Sequence, residues 1–187
     1  MRKIILPVII IVIVGFFFGK WYISEYNRVI TLQENVKAAW AQVDSQLKRR
    51  YDLIPNLVET VKGYASHEKE IFTAIARSRE AYVGAKTVKE KIDATKELEP
   101  VLARLLAFTE AYPELKANES FLKLQDSLEG TENRISVERM RYNEAVRTLN
   151  TYIKTFFGSF FATRAGVTMA EYFEVPEKET AIPKVQF

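Results

Sequence analysis

Along residues 29–82 the apolar positions recur at helical spacing. Val29, Leu32, Val36, Trp40, Val43 and Leu47 follow one another at intervals of three or four, which places them on one stripe of an α-helix with Ala39 beside Trp40. Arg28, Lys37, Asp44 and Lys48 fall on the other faces, where water solvates them. A second stripe runs through Leu57, Val61, Tyr64, Ile71, Ile75 and Tyr82, with Glu68 at its one polar seam position. Between the stripes lies KRRYDLIPN. Asp52 is a residue type that caps a helix by accepting bonds from its free N–H groups. Pro55 then falls in the first turn, where a missing N–H costs little. Lys48, Arg49 and Arg50 close the preceding helix, where the macrodipole favours cations. This pattern predicts two antiparallel helices joined at a polar corner. One long helix kinked at Pro55 is the other arrangement the residues allow.

Upstream the pattern loses its polar face. From Ile4 to Gly19 the chain is uncharged and nearly all apolar, short of the roughly 20 residues a membrane-spanning helix needs. Extending to Ile23 reaches that length if Lys20 snorkels and Trp21 and Tyr22 sit at the interface. No small-x-small cleavage site follows, because Phe16, Phe17, Phe18 and Trp21 are bulky. The expectation is an uncleaved anchor over 4–23, running without glycine or proline from Trp21 into the first bundle helix. Arg2 and Lys3 on one side and Lys20 and Arg28 on the other lean slightly toward a cytoplasmic amino terminus.

Downstream, Gly84 suits the residue that ends a helix, and Thr87-Val88-Lys89-Glu90 is a capping-box pattern opening the third. Ile92, Thr95, Leu98, Leu102, Leu105 and Tyr112 form its stripe. Pro100 is expected to kink or split it, and Pro113 to end it. Asn118 caps a fourth helix whose stripe runs through Phe121, Leu124, Leu128, Thr131, Ile135, Glu138, Tyr142, Ala145, Leu149, Tyr152 and Phe156, with Gly158 as its stop. The fold class expected is all-α: an N-terminal transmembrane helix continuing into an antiparallel up-down-up-down four-helix bundle with long helices. A dimeric coiled coil is the competing arrangement, against which the joins near 52, 84 and 113 argue. The expected division is an anchor over 1–23, a bundle over 24–158, and a hydrophobic segment with an irregular tail over 159–187.

The run QLKRRYDLIPNLVETVKGYASHE, with AW at 39–40 before it, resembles the LemA family of bacterial proteins. YPELKA at 112–117, LEGTENRI at 128–135, RYN at 141–143 and YF at 172–173 are similar to further landmarks of that family, so the resemblance spans most of the chain. It implies an amino-terminal membrane helix followed by an α-helical bundle, with the short amino terminus outside. It brings no catalytic residue set.

Composition narrows the chemistry. There is no cysteine, which excludes disulfides, zinc–thiolate sites and cysteine nucleophiles. Lys and Arg outnumber Asp and Glu by 27 to 24; setting aside Arg2 and Lys3 leaves a net of +1, a solvated helix surface and not a nucleic-acid footprint. His67 is the single histidine, so neither an H-E-x-x-H zinc pair nor a paired Glu-x-x-His di-iron site can be assembled. Glu68 and Glu138 on seam positions read as edge or paired carboxylates before they read as an acid–base pair. No metal, no cofactor, no small-molecule substrate and no enzymatic activity are expected.

Two clusters remain. Lys48, Arg49, Arg50, Asp52 and Asn56 crowd the predicted corner, either as capping and solvation or as a partner-docking tip. Trp21, Tyr22, Phe156, Phe157, Phe160, Phe161 and Arg164 are the residue types of a membrane interface. An even number of antiparallel helices would return 156–166 to the level of Trp21 and Tyr22, with the arginine corner at the far end. The sequence therefore suggests a single-pass cell-membrane protein, held in lipid by its first helix and presenting a scaffold to unidentified protein partners. The side of the membrane stays open. An enzyme with an unrecognised site, or an adaptor released by cleavage of the anchor, are the alternatives.

Overall fold

The computed structural model describes residues 2–64 and 69–174, with side chains from residue 9 onward except that of Phe108. Among them the regular structure is α-helical, without strands: α1 Arg2–Lys62, α2 Lys69–Gly84, α3 Val88–Thr109, the short α4 Pro113–Lys116, α5 Glu119–Ile153 and α6 Phe156–Ala165.

Helix α1 is 61 residues long and continues from the apolar segment without a break. It also runs straight through Asp52 and Pro55, so the corner predicted there is corrected: the helix ends at Lys62. Lys48, Arg49, Arg50, Asp52 and Asn56 lie within one helix and do not form the tip of a hairpin. The physical reason is burial. Leu47, Tyr51, Ile54, Leu57 and Val61 are all at most 2% exposed, and they carry one stripe across Pro55 without a change of phase. Proline removes one N–H and crowds the carbonyl four residues back, a cost of about 3 kcal/mol. Five buried side chains at about 1.5–3 kcal/mol each outweigh it.

The other ends follow local rules. Helix α2 stops at Gly84. Thr87 Oγ1 accepts from Glu90 N–H at 3.2 Å, and Glu90 Oε2 accepts from the Lys86 and Thr87 N–H groups at 2.6 and 3.2 Å, completing the capping box of α3. Helix α3 is not split at Pro100, whose ring is exposed. Asn118 Oδ1 accepts from Phe121 N–H at 3.1 Å at the start of α5. Gly158 does not stop that helix: α5 ends at Ile153, and Gly158 lies inside a separate α6.

The chain divides into two compact units, each drawing on separated stretches of sequence: Met1–Ala39 with Asn143–Glu171, and Trp40–Tyr142 with Tyr172–Phe187. In the second unit, Trp40 meets Tyr142 edge-on at 5.3 Å, Arg50 pairs with Glu132, and Asn118 Nδ2 donates to the Tyr64 hydroxyl at 3.0 Å. Each advance along the first segment is matched by an equal retreat along the last, so α1 and α5 are antiparallel there. Helix α2 is antiparallel to α1 as well, with Lys62 over Phe72 and Tyr51 stacked on Tyr82. Helix α3 is parallel to it, with Lys91 on Asp44 and Tyr51 on Ala94. The core between them holds Leu57, Ile75, Leu98, Leu105, Phe121 and Ile135, all buried.

In the first unit Val29, Val146, Leu149 and Phe161 are buried. After α6 the chain leaves helical structure and is fastened to α5 by Asn150. Its Nδ2 donates to the Ala170 carbonyl at 2.8 Å and its Oδ1 accepts from Ala170 N–H at 2.9 Å.

Candidate functional site

The sequence-named interface residues come together in the first unit. Trp21 and Tyr22 lie on α1, directly after an apolar run in which Ile11, Val12 and Phe17 are each at least 65% exposed. Helix α6 packs against this point. Thr155 caps it, its hydroxyl accepting from Gly158 N–H at 3.1 Å, and Gly166 ends it in the left-handed conformation at φ 67°. Gly158 permits the tight joint with α5, because a Cβ there would overlap the Tyr152 carbonyl. These caps were the available signal for a separate helix: a threonine just before FFGSFF and a glycine just after the run.

Ring contacts make the joint. Trp21 meets Phe157 edge-on at 5.2 Å and Phe161 at 5.8 Å, and Tyr22 meets Phe161 at 5.0 Å. Such pairs contribute about 0.5–1.5 kcal/mol each beyond the area they bury. Phe161 is the buried anchor, while Phe156, Phe157 and Phe160 point outward, Phe156 being 85% exposed. All seven named residues line one open groove of about 1060 Å³, joined by Phe18, Lys154, Thr155, Ser159 and Thr163. Nearby, the Tyr152 hydroxyl donates to Glu25 Oε2 at 2.7 Å, and the Arg28 guanidinium lies 4.8 Å over the Tyr152 ring. Burial, reinforced by the Glu25 carboxylate, pushes that phenol up to about 12.

The five corner residues are not gathered into a site. Lys48, Arg49, Asp52 and Asn56 are exposed along α1, whereas Arg50 is buried in the second unit. Its guanidinium is 2.7 Å from Glu132 and 4.0 Å from Glu99, beside a cleft of about 470 Å³ that Leu102 and Leu128 also line. The short contact is out of line for a hydrogen bond, so its attraction is chiefly coulombic. A second polar knot was not anticipated from the sequence. Lys91 Nζ donates to both oxygens of Asp44, at 2.6 and 2.7 Å, and the Tyr82 hydroxyl donates to Asp44 Oδ1 at 2.8 Å. Tyr82 stacks on Tyr51 with centroids 4.0 Å apart. Burial first, and then the Asp44 carboxylate, hold the Tyr82 phenol far above its ordinary range. Burial likewise pushes Tyr51 up to about 12.

Glu138 is half-buried and pairs with Arg141 of its own helix at 2.8 Å. His67 and Glu68 lie outside the described residues. Among the described residues no group of three or more His, Cys, Asp or Glu side chains is placed to hold a metal ion. One described helix is long and apolar enough to cross a membrane, and it is α1.

A family model for the LemA family matches residues 39–187. The chain belongs to the LemA family. Related proteins include magnetosome protein MamQ 2 of Paramagnetospirillum magneticum, 27% identical over 187 residues, covering 86% of this chain and 69% of the relative. Magnetosome protein MamQ of Magnetospirillum gryphiswaldense is 25% identical with the same coverage. Protein LemA of Metamycoplasma hominis is 21% identical over 159 residues, covering 84% of this chain and 73% of its own. The LemA match begins at Ala39 and so covers both polar knots, α6 and the aromatic residues of the groove that α6 contributes.

Proposed function

We propose that this LemA-family chain is a single-pass protein of the cell membrane, anchored over residues 4–23, whose helical region serves as a scaffold that docks protein partners. The observation that carries the anchor is the exposure of the apolar segment. Nine large side chains between Ile9 and Phe18 lie open around the whole circumference of α1. Leaving them in water costs on the order of 10 kcal/mol; a bilayer removes that cost while the helix satisfies its own backbone. The aromatic groove beside Trp21 and Tyr22 is placed at headgroup level by this reading, with Lys20 snorkelling out of the apolar run.

The scaffold role is supported by polar clusters that tie helices to one another. Residues 4–23 are tested by carbonate washing of native membranes followed by intact-mass measurement. Retention with an uncut amino terminus is expected; release into the wash, or a mature chain beginning after residue 23, overturns the anchor. Crosslinking in the same membranes tests docking. A specific protein adduct is expected, and its absence at every exposed lysine overturns the scaffold reading.

A further inference from the structure

We propose that the groove between α6 and the Trp21 region binds an anionic phospholipid of the surrounding bilayer, with its acyl chain against the phenylalanines and its phosphate on Lys154 and Arg164. This rests on the anchor reading above and goes further by naming what fills the groove.

The argument begins with charge. The groove walls contribute two basic side chains, Lys154 and Arg164, and no acidic one. Among the described residues neither base is held in an ion pair, whereas Lys37 pairs with Glu34 and Arg147 with Glu144 on their own helices. Arg164 also lines an adjoining recess with Tyr22, Ile23 and Tyr26, so it stands where two depressions meet. Ser159 adds a hydroxyl group suited to a phosphate oxygen, while the Thr155 and Thr163 hydroxyls already donate to the Tyr152 and Ser159 carbonyls.

The apolar part fits the same ligand. Phe156, Phe157 and Phe160 are more than half exposed while belonging to a capped, well-joined helix. Solvent exposure of three phenylalanines on ten residues is costly, and a protein partner would have to compete with lipid for a groove whose floor includes Phe18, Trp21 and Tyr22 of the anchor helix itself. A groove continuous with the anchor is filled from the bilayer. Guanidinium and ammonium groups next to aromatic rings at headgroup level are attracted to anionic lipid, several-fold in affinity per side chain.

The test uses the full chain in nanodiscs of phosphatidylcholine and phosphatidylglycerol in equal amounts, released for native mass spectrometry. Flotation on vesicles of the same lipids measures anchoring in parallel. Retained phosphatidylglycerol is expected to exceed phosphatidylcholine by roughly tenfold, and the ratio to fall to near parity in K154Q/R164Q. Both residues are exposed, so the buried contacts of α6 remain. Ser159→Glu, which places a carboxylate on the groove, is expected to lower the ratio likewise. K123Q/R134Q removes the same charge from exposed positions in the other unit and is expected to leave the ratio unchanged. Parity in the native protein, an unchanged ratio in either groove variant, or an equal loss in the control overturns the assignment. Protein that floats without lipid preference leaves the anchor standing and removes only the groove; protein that does not float overturns both.

Discussion

Gly158 lies against the backbone carbonyl of Tyr152 so closely that no side chain fits between them. Helix propensity alone would favour alanine at this position by about 1 kcal/mol. Overlap with a backbone atom reverses the sign, since the neighbour cannot rotate away. Gly158→Ala is therefore expected to destabilise the first unit by about 2 kcal/mol. Chemical unfolding of the full chain in detergent, followed by Trp21 fluorescence in a Trp40→Phe background, measures it. A gain in stability would show that α6 does not dock through this joint.

Pro55 gives an opposite expectation. It lies inside α1, where it denies the Tyr51 carbonyl its helical donor. Pro55→Ala restores that bond and is expected to stabilise the protein by about 1–3 kcal/mol. Had the residue opened a helix, the same change would be neutral or harmful. The shift in unfolding midpoint distinguishes the two by sign.

Arg50 is buried between two carboxylates of facing helices. Arg50→Met keeps the length of the side chain and removes the cation that faces Glu99 and Glu132. A loss of about 3 kcal/mol at neutral pH is expected. The triple change Arg50→Met, Glu99→Gln, Glu132→Gln is expected to recover most of it, because the two carboxylates that faced Arg50 are then neutral. Failure of the triple variant to recover would assign Arg50 a packing role through its alkyl stem.

High pH probes the stacked tyrosines. Tyr51 is neutral in the fold up to about 12, against about 10 in the unfolded chain. A pKa raised by folding means the associated stability is fully present below pH 10 and is lost as pH rises from 10 toward 12. Alkaline unfolding in that window is expected, with phenolate absorbance and helical circular dichroism changing together. Tyr51→Phe is expected to weaken the pH dependence while costing at most about 1 kcal/mol near neutrality, through loss of the 3.2 Å bond to the Ala94 carbonyl.

The boundaries legible in the sequence were those written in a few adjacent residues. Thr87 with Glu90 and Asn118 before Phe121 behave as their local chemistry demands, and α2 ends at Gly84, although that glycine does not adopt the left-handed conformation. Pro55 misled because proline is a local marker, whereas what overrides it is burial by α2, α3 and α5, far away in sequence. Tyr51 and Ile54 continue the stripe through the apparent corner and were the sign that one helix persists. Gly158 misled for a related reason: glycine ends helices, but it also admits a close backbone approach, and only the fold distinguishes these uses. The aromatic cluster was legible as residue types, and the structure shows Trp21, Tyr22, Phe157 and Phe161 in contact. The salt links of Arg50 and Asp44 were not, because their partners sit on other helices.

The hydrogen bond from Tyr152 to Glu25 joins groups 127 positions apart. A ribosome adding about 5–20 residues per second needs roughly 6–25 s to cover that distance. For all of that time Trp21 and Tyr22 exist without α6, whose phenylalanines have not been made. The leading helix must therefore find its surroundings before its own protein can offer it any. By the time Phe161 arrives, the place where it docks has long been chosen, and the first unit closes only after most of the second has been made.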